Sequence, residues 1–220
     1  MELIYKSWKD INVNTFIRLQ LEWQNFETTG DKVMDDLNRS IILLSILCDT
    51  TEDEITNLSK SEFTTLLHQT VFINDMPKVK IQDKYVINGK KYKVFLTLQD
   101  MSISQYIDFQ TFYKEQEKYF KELIACFLIP DGKKYGEYDI NEVIDDIGNH
   151  MTIVDAYSIL FFFVLLYQSL TKAILNYSIK DMKKMMKKEK NKEQKMKMEK
   201  SIAEMKKAMD SLNDGVGFIS

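Results

Sequence analysis

Between Asn149 and Asp214 the sequence holds no glycine and no proline, a run of 66 residues. Those two residue types disfavour a helix interior most strongly, so their absence permits one very long helix. From Thr152 to Asp210 such a helix would measure on the order of 90 Å at 1.5 Å per residue. A bend could fall near Asn176-Tyr177-Ser178. Across the chain, 7 Gly and 2 Pro in 220 residues exclude collagen-like, linker-rich and many-turned all-β architectures. At 45% hydrophobic, the chain can bury a real core and is not disordered throughout.

The long run opens with its most apolar part, AYSILFFFVLLY, Ala156 to Tyr167. A membrane span needs about 20 apolar residues. Here Asp155 precedes the apolar part, and Gln168, Thr171 and Lys172 interrupt the residues after Tyr167, so a membrane is not an expected partner. A helix apolar on all sides is expected to be buried all round, in a core or an oligomer interface. Phe161, Phe162, Phe163 and Leu166 are the candidate interface residues of this helix.

The run closes on a strongly basic segment. Lys180 to Asp210 carries twelve Lys and six acids, a balance of +6, whereas residues 1–179 carry −8. The chain is thus an acidic body with a basic segment after it. One reading of that segment is a solvated helix with charge pairs such as Glu193 with Lys197. A second is a partner-binding or coiled-coil helix, because Met198, Ile202, Met205, Met209 and Leu212 keep heptad spacing over two heptads. A third is contact with nucleic-acid phosphates through Lys183, Lys184, Lys187 and Lys188. There is no Arg or aromatic residue between 180 and 210, so base reading and base stacking are not expected.

The body reads as mainly helical. Leu3, Tyr5 and Trp8 suggest a strand or an extended arm. Phe16, Leu19 and Trp23 make one face of a helix near 13–25, capped by Asn12 or Asn14. A second helix over 31–48 carries Val33, Leu37, Ile41, Leu44 and Cys48 on one stripe. Thr51 and Glu54 form a capping-box pattern, and a short helix from Ser61 points Phe63, Leu66 and Leu67 inward. At about 79–97 the pattern turns to strand. Asn88-Gly89 tolerates the positive φ of a type I′ turn, which sets Tyr85 opposite Tyr92 and Ile87 opposite Lys90. Tyr85, Ile87, Tyr92 and Val94 then share the core face. Ser102 or Ser104 caps a helical region to about 128, which ends in a β-turn at Ile129-Pro130-Asp131-Gly132. A short helix from Asn141 stops at Gly148. The fold class is α+β, mainly α, with a body over 1–178 and a basic C-terminal helix and short tail over 179–220.

Catalytic patterns are missing from this sequence. His68 and His150 lie in no zinc-ligand spacing. No Gly-rich phosphate loop and no G-x-S-x-G pattern occurs. Glu142, Asp145 and Asp146 read as a solvated acidic face. Tyr135 and Tyr138, beside Gly136, could shape a binding loop, though packing against the body accounts for them more simply. Cys48 and Cys126 sit in apolar helical runs, as reduced core cysteines of an intracellular protein do. MELIYKSWKD lacks the cationic-then-apolar order of a secretion signal. Neither metal nor cofactor is expected, and no enzymatic activity.

Several stretches in order resemble proteins of the structural and assembly region of tailed bacteriophages, especially phages of Bacteroides-type hosts. They are KSWKDINVNTFIRL, ILCDTTEDEITNLSKSEFTTL, YVINGKKYKVFL, MSISQYIDF, ACFLIPDGKKYGEYDI and DAYSILFFFVLLYQSL. The likeness spans roughly residues 5–175 and excludes the basic helix. It implies a tail assembly chaperone-like or minor virion protein. Such a protein works by protein–protein contact with other phage structural proteins, in homo- or hetero-oligomers. It would sit in the host cytoplasm during assembly or in the virion. No functional residue carries over from the resemblance. The alternative class is a nucleic-acid-associated protein using the basic helix.

Overall fold

The computed structural model describes residues 1–95, 101–116 and 118–214, the last four by backbone alone. The fold is α+β and mainly helical, with helices α1 (Val13–Gln24), α2 (Lys32–Leu47), α3 (Glu52–Thr56), α4 (Lys60–Gln69), α5 (Ile103–Tyr113), α6 (Phe120–Ala125), α7 (Ile140–His150), α8 (Ile153–Lys188) and α9 (Lys192–Asp214). A three-stranded antiparallel sheet has the order β1 (Lys84–Ile87), β2 (Lys90–Val94), β3 (Leu128–Pro130). The chain divides into two compact units, Met1–Leu160 and Phe161–Ser220, so the division falls inside α8 and not at residue 178.

In the first unit, α1 packs on α2 and α7, α2 on α3 and α4, and α6 on α5, α7 and β3. Local sequence explains most helix starts. Asn12 accepts from the Thr15 N–H at 2.8 Å. Thr51 with Glu54, Ser59 with Glu62 and Ser102 with Gln105 all form capping boxes, each satisfying two orphan donors. The Ser59 box starts α4 two residues before the expected Ser61. The hairpin matches its expected register, with Tyr85 opposite Tyr92 and Ile87 opposite Lys90. Asn88 and Gly89 take φ of 51° and 71°. Tyr85, Ile87, Tyr92 and Val94 are buried together. The end of the expected hairpin, beyond 95, lies outside the described residues.

Three expectations for the body change. The helical region expected over 103–128 is two helices, α5 and α6, and its apolar end, Leu128-Ile129, is strand β3. Short apolar runs do not distinguish strand from helix by periodicity, and here the exposed flank of β2 takes them, pairing Val94 with Leu128 and Tyr92 with Pro130. Pro130 lacks an N–H, which an edge strand tolerates. The α2 stripe is half covered: Leu44 and Cys48 are buried, yet Val33 is 75% and Leu37 40% exposed. Asp35 is enclosed at that end instead, accepting from the Thr29 N–H at 2.8 Å and the Thr29 hydroxyl at 2.7 Å.

The third change is Gly148, which does not stop α7; the helix runs on to His150. A Cβ on Gly148 would lie 2.7 Å from the Asn14 side-chain oxygen. The glycine therefore serves the close crossing of α1 and α7. Beside it, the Asn14 side-chain amide donates to Asn149 at 2.8 Å. Main-chain bonds clamp the same junction: Val13 N–H to the Met151 carbonyl at 3.1 Å and Ile153 N–H to the Ile11 carbonyl at 2.8 Å.

The long Gly- and Pro-free run is not one helix. It passes unbroken through Asn176-Tyr177-Ser178 and breaks at 189–191. Asn191 caps α9, accepting from the Glu193 N–H at 2.9 Å. Lys183 with Lys187 and Lys184 with Lys188 place like charges one turn apart, each weakening the end of α8 by about 0.2–0.5 kcal/mol. An asparagine cap offered just beyond that repulsion is enough to end one helix and start another.

Candidate interaction surfaces

The best organised polar centre is Asp146 on α7, buried against the hairpin. Its carboxylate accepts from Asn88 Nδ2 at 2.9 Å, Lys90 Nζ at 2.8 Å and the Tyr92 hydroxyl at 2.6 Å. Lys90 also lies 3.9 Å from Glu142. Burial raises the Asp146 pKa, but the bonds from Lys90, Tyr92 and Asn88 outweigh it and hold the carboxyl below its usual range. Burial first, then Asp146, pushes the Tyr92 phenol up. Asp145 is exposed, as expected of an acidic face, whereas Asp146 is not on that face. With three donors on it, the carboxylate clamps hairpin to helix.

A second cluster surrounds Cys126. Tyr135 donates to Asp108 at 2.8 Å and lies 4.0 Å from the Cys126 sulfur. Burial pushes the Cys126 thiol up to about 12, which removes its nucleophilic form near neutral pH. Burial also raises the Cys48 thiol, and both cysteines are free and buried. Tyr135 and Tyr138 pack edge to face, 6.3 Å between centroids, the packing role rather than an open binding loop. Among the described residues no group of three or more His, Cys, Asp or Glu side chains is placed to hold a metal ion. His68 and His150 are exposed. A groove of about 350 Å³ is lined by Trp23, Arg39, Ser40 and Leu43. The Arg39 guanidinium there stacks 4.8 Å from the Phe26 ring.

The second unit carries the remaining candidates. Ile202 of α9 is buried, and Met198, Met205 and Met209 are half-buried, so the heptad seam is a real face. The Leu212 side chain lies outside the described residues. On α8, Leu175, Met182 and Met186 are half-buried and Ile179 is buried, forming a matching stripe. Each helix thus carries one stripe that is buried or half-buried.

The apolar run of α8 is not buried all round. Phe163 is enclosed at 1% exposure and Phe161, Phe162 and Leu166 are half-buried. Leu165, Leu170, Ile174 and Tyr177 are exposed at 44%, 43%, 56% and 74%. An 18-residue window of this helix has mean hydropathy 1.8 with 39% of it buried, apolar and long enough by composition to cross a membrane. Part of the exposed set was legible in the sequence: Leu170, Ile174 and Tyr177 recur at helical spacing as a second stripe that begins at the half-buried Leu166. Lys183, Lys184, Lys187 and Lys188 are all exposed.

The chain matches no family model, no curated protein and no solved structure.

Proposed function

We propose that this chain is a non-enzymatic assembly component of a tailed bacteriophage, a virion part or a tail assembly chaperone, acting through protein–protein contacts. The observation that carries the reading is the second stripe of α8, where Leu170, Ile174 and Tyr177 stand exposed on a helix whose other face carries the buried Ile179. Fully burying one such side chain gains about 1.5–3 kcal/mol, so a contiguous set is a strong inducement to association. The ordered likeness to phage structural and assembly proteins supplies the context. It would act in the host cytoplasm during assembly, or in the virion.

Mass spectrometry of purified particles, alongside the soluble fraction of the same lysate, tests it. Detection in particles supports a virion part, and recovery only in a soluble complex with a tail protein supports a chaperone. Recovery as a free monomer, or with the membrane pellet after carbonate extraction, overturns the reading. A nucleic-acid role is the second reading, favoured by the exposed Lys183, Lys184, Lys187 and Lys188. It requires duplex DNA binding at low salt that weakens steeply as salt rises.

A further inference from the structure

The two compact units carry opposite charge. Residues 1–160 hold 26 acidic and 17 basic side chains, net −9, and residues 161–220 hold 13 Lys and 7 acids, net +6. In the second unit the charge is concentrated on either side of the 189–191 connection. Lys183, Lys184, Lys187, Lys188, Lys190 and Lys192 are all exposed there. Among the described residues none of these six has an acidic partner, whereas Lys197 is paired with Glu193 at 2.8 Å. Two apolar side chains stand among them, Met185 at 46% and Met196 at 62% exposure.

The first unit presents the opposite surface on α3 and the start of α4. Asp49, Glu52, Asp53, Glu54 and Glu62 are exposed within fourteen residues whose single cation is Lys60. Glu54 and Glu62 serve their capping boxes, and none of the five has an ion pair among the described residues. Leu58 and Phe63 lie half-exposed between these carboxylates. Each surface thus combines exposed charge of one sign with two partly exposed apolar side chains, and the two signs are opposite.

We propose that the basic end of the second unit in one copy docks on the acidic α3–α4 surface of another copy. Met185 and Met196 meet Leu58 and Phe63, and the lysines ring them against the carboxylates. Two basic ends repel, as do two acidic surfaces, so like surfaces do not pair. The contact joins unlike surfaces, head to tail, and closes into a reciprocal dimer or larger ring or propagates into chains. This deepens the assembly reading and rests on it in taking the partner to be protein.

Sedimentation velocity on the full chain tests it, at about 50 mM and about 500 mM salt, where screening lengths differ about threefold. The variants are Lys183→Glu/Lys184→Glu/Lys187→Glu/Lys188→Glu and Glu52→Lys/Asp53→Lys, which spare the capping residues; circular dichroism checks that both fold. The wild type should associate at low salt and dissociate at high salt. Each variant alone should lose about tenfold or more in association, and an equal mixture should regain it, because the reversed surfaces complement each other. A wild type monomeric at low salt, association indifferent to either reversal, or no recovery on mixing overturns the proposal. So does a lysine variant that loses duplex DNA binding while self-association is unchanged. Particle composition is read separately, so head-to-tail association can fail while the phage assignment stands, and the reverse.

Discussion

The Tyr92 hydroxyl donates to the Asp146 carboxylate at 2.6 Å, tying the middle of β2 to the last turns of α7. Both side chains are buried, so the bond is shielded from water and competes with nothing. Tyr92→Phe removes one of three donors to a buried charge and should lower stability by about 1.5–3 kcal/mol. Urea unfolding monitored by circular dichroism measures this; an unchanged midpoint would mean that Asn88 and Lys90 alone satisfy the carboxylate.

Asp146 also sets an acid response. Its folded pKa lies below its ordinary value, so the ionised form contributes stability above about pH 4, and that contribution disappears as pH falls through the folded pKa. Asp146→Asn should be less stable than the wild type near neutrality, and the gap should narrow below about pH 4. Parallel acid profiles for the two proteins would contradict this assignment.

Gly148 faces Asn14 closely enough that a methyl group must displace that side chain, which also accepts from Lys121 Nζ at 3.2 Å. Helix propensity favours alanine over glycine by about 1 kcal/mol. Gly148→Ala should therefore be neutral or destabilising in the wild type and stabilising by about 1 kcal/mol in an Asn14→Ala background. A double-mutant cycle by thermal or urea unfolding reads the change of sign.

Asn191→Ala removes the side-chain acceptor at the start of α9. Loss of an N-cap typically lowers helix stability by about 1 kcal/mol. Hydrogen exchange over residues 192–195 should accelerate, with the hairpin register of β1 and β2 untouched. Equal protection in the variant would show that the seam packing alone holds that end of the helix.

Cys126 is predicted to be inert toward thiol reagents at pH 8 in the folded chain, since burial raises its pKa to about 12. Both thiols should react at the rate of unfolding, and addition of urea should release them together. Rapid labelling of Cys126 under native conditions would count against its enclosure.

Residues close in sequence determined a large part of this protein. The capping boxes at Thr51 and Ser102 and the Asn88-Gly89 turn each depend on groups two or three positions apart, so their chemistry is complete within a short window. The face shared by Tyr85, Ile87, Tyr92 and Val94 came from the turn, because a two-residue loop sets the register. Charge asymmetry was equally local, a matter of counting.

Tertiary structure decided what depends on a distant neighbour. Leu128-Ile129 became strand because β2 had an open flank. Asp146 left the acidic face because Asn88, Lys90 and Tyr92 converge on it from far along the chain. Gly148 proved to be a crossing point with Asn14 and not a stop. The seam of Met198, Ile202, Met205 and Met209 reads in sequence as a surface for a partner, and in the fold it is buried or half-buried, while Leu170, Ile174 and Tyr177 stand exposed along α8. The long unbroken run permitted one helix but could not require it: absence of glycine and proline removes obstacles, and the Asn191 cap still starts a second helix. Periodicity reports that a helix has an apolar side; only packing reports which neighbour takes it.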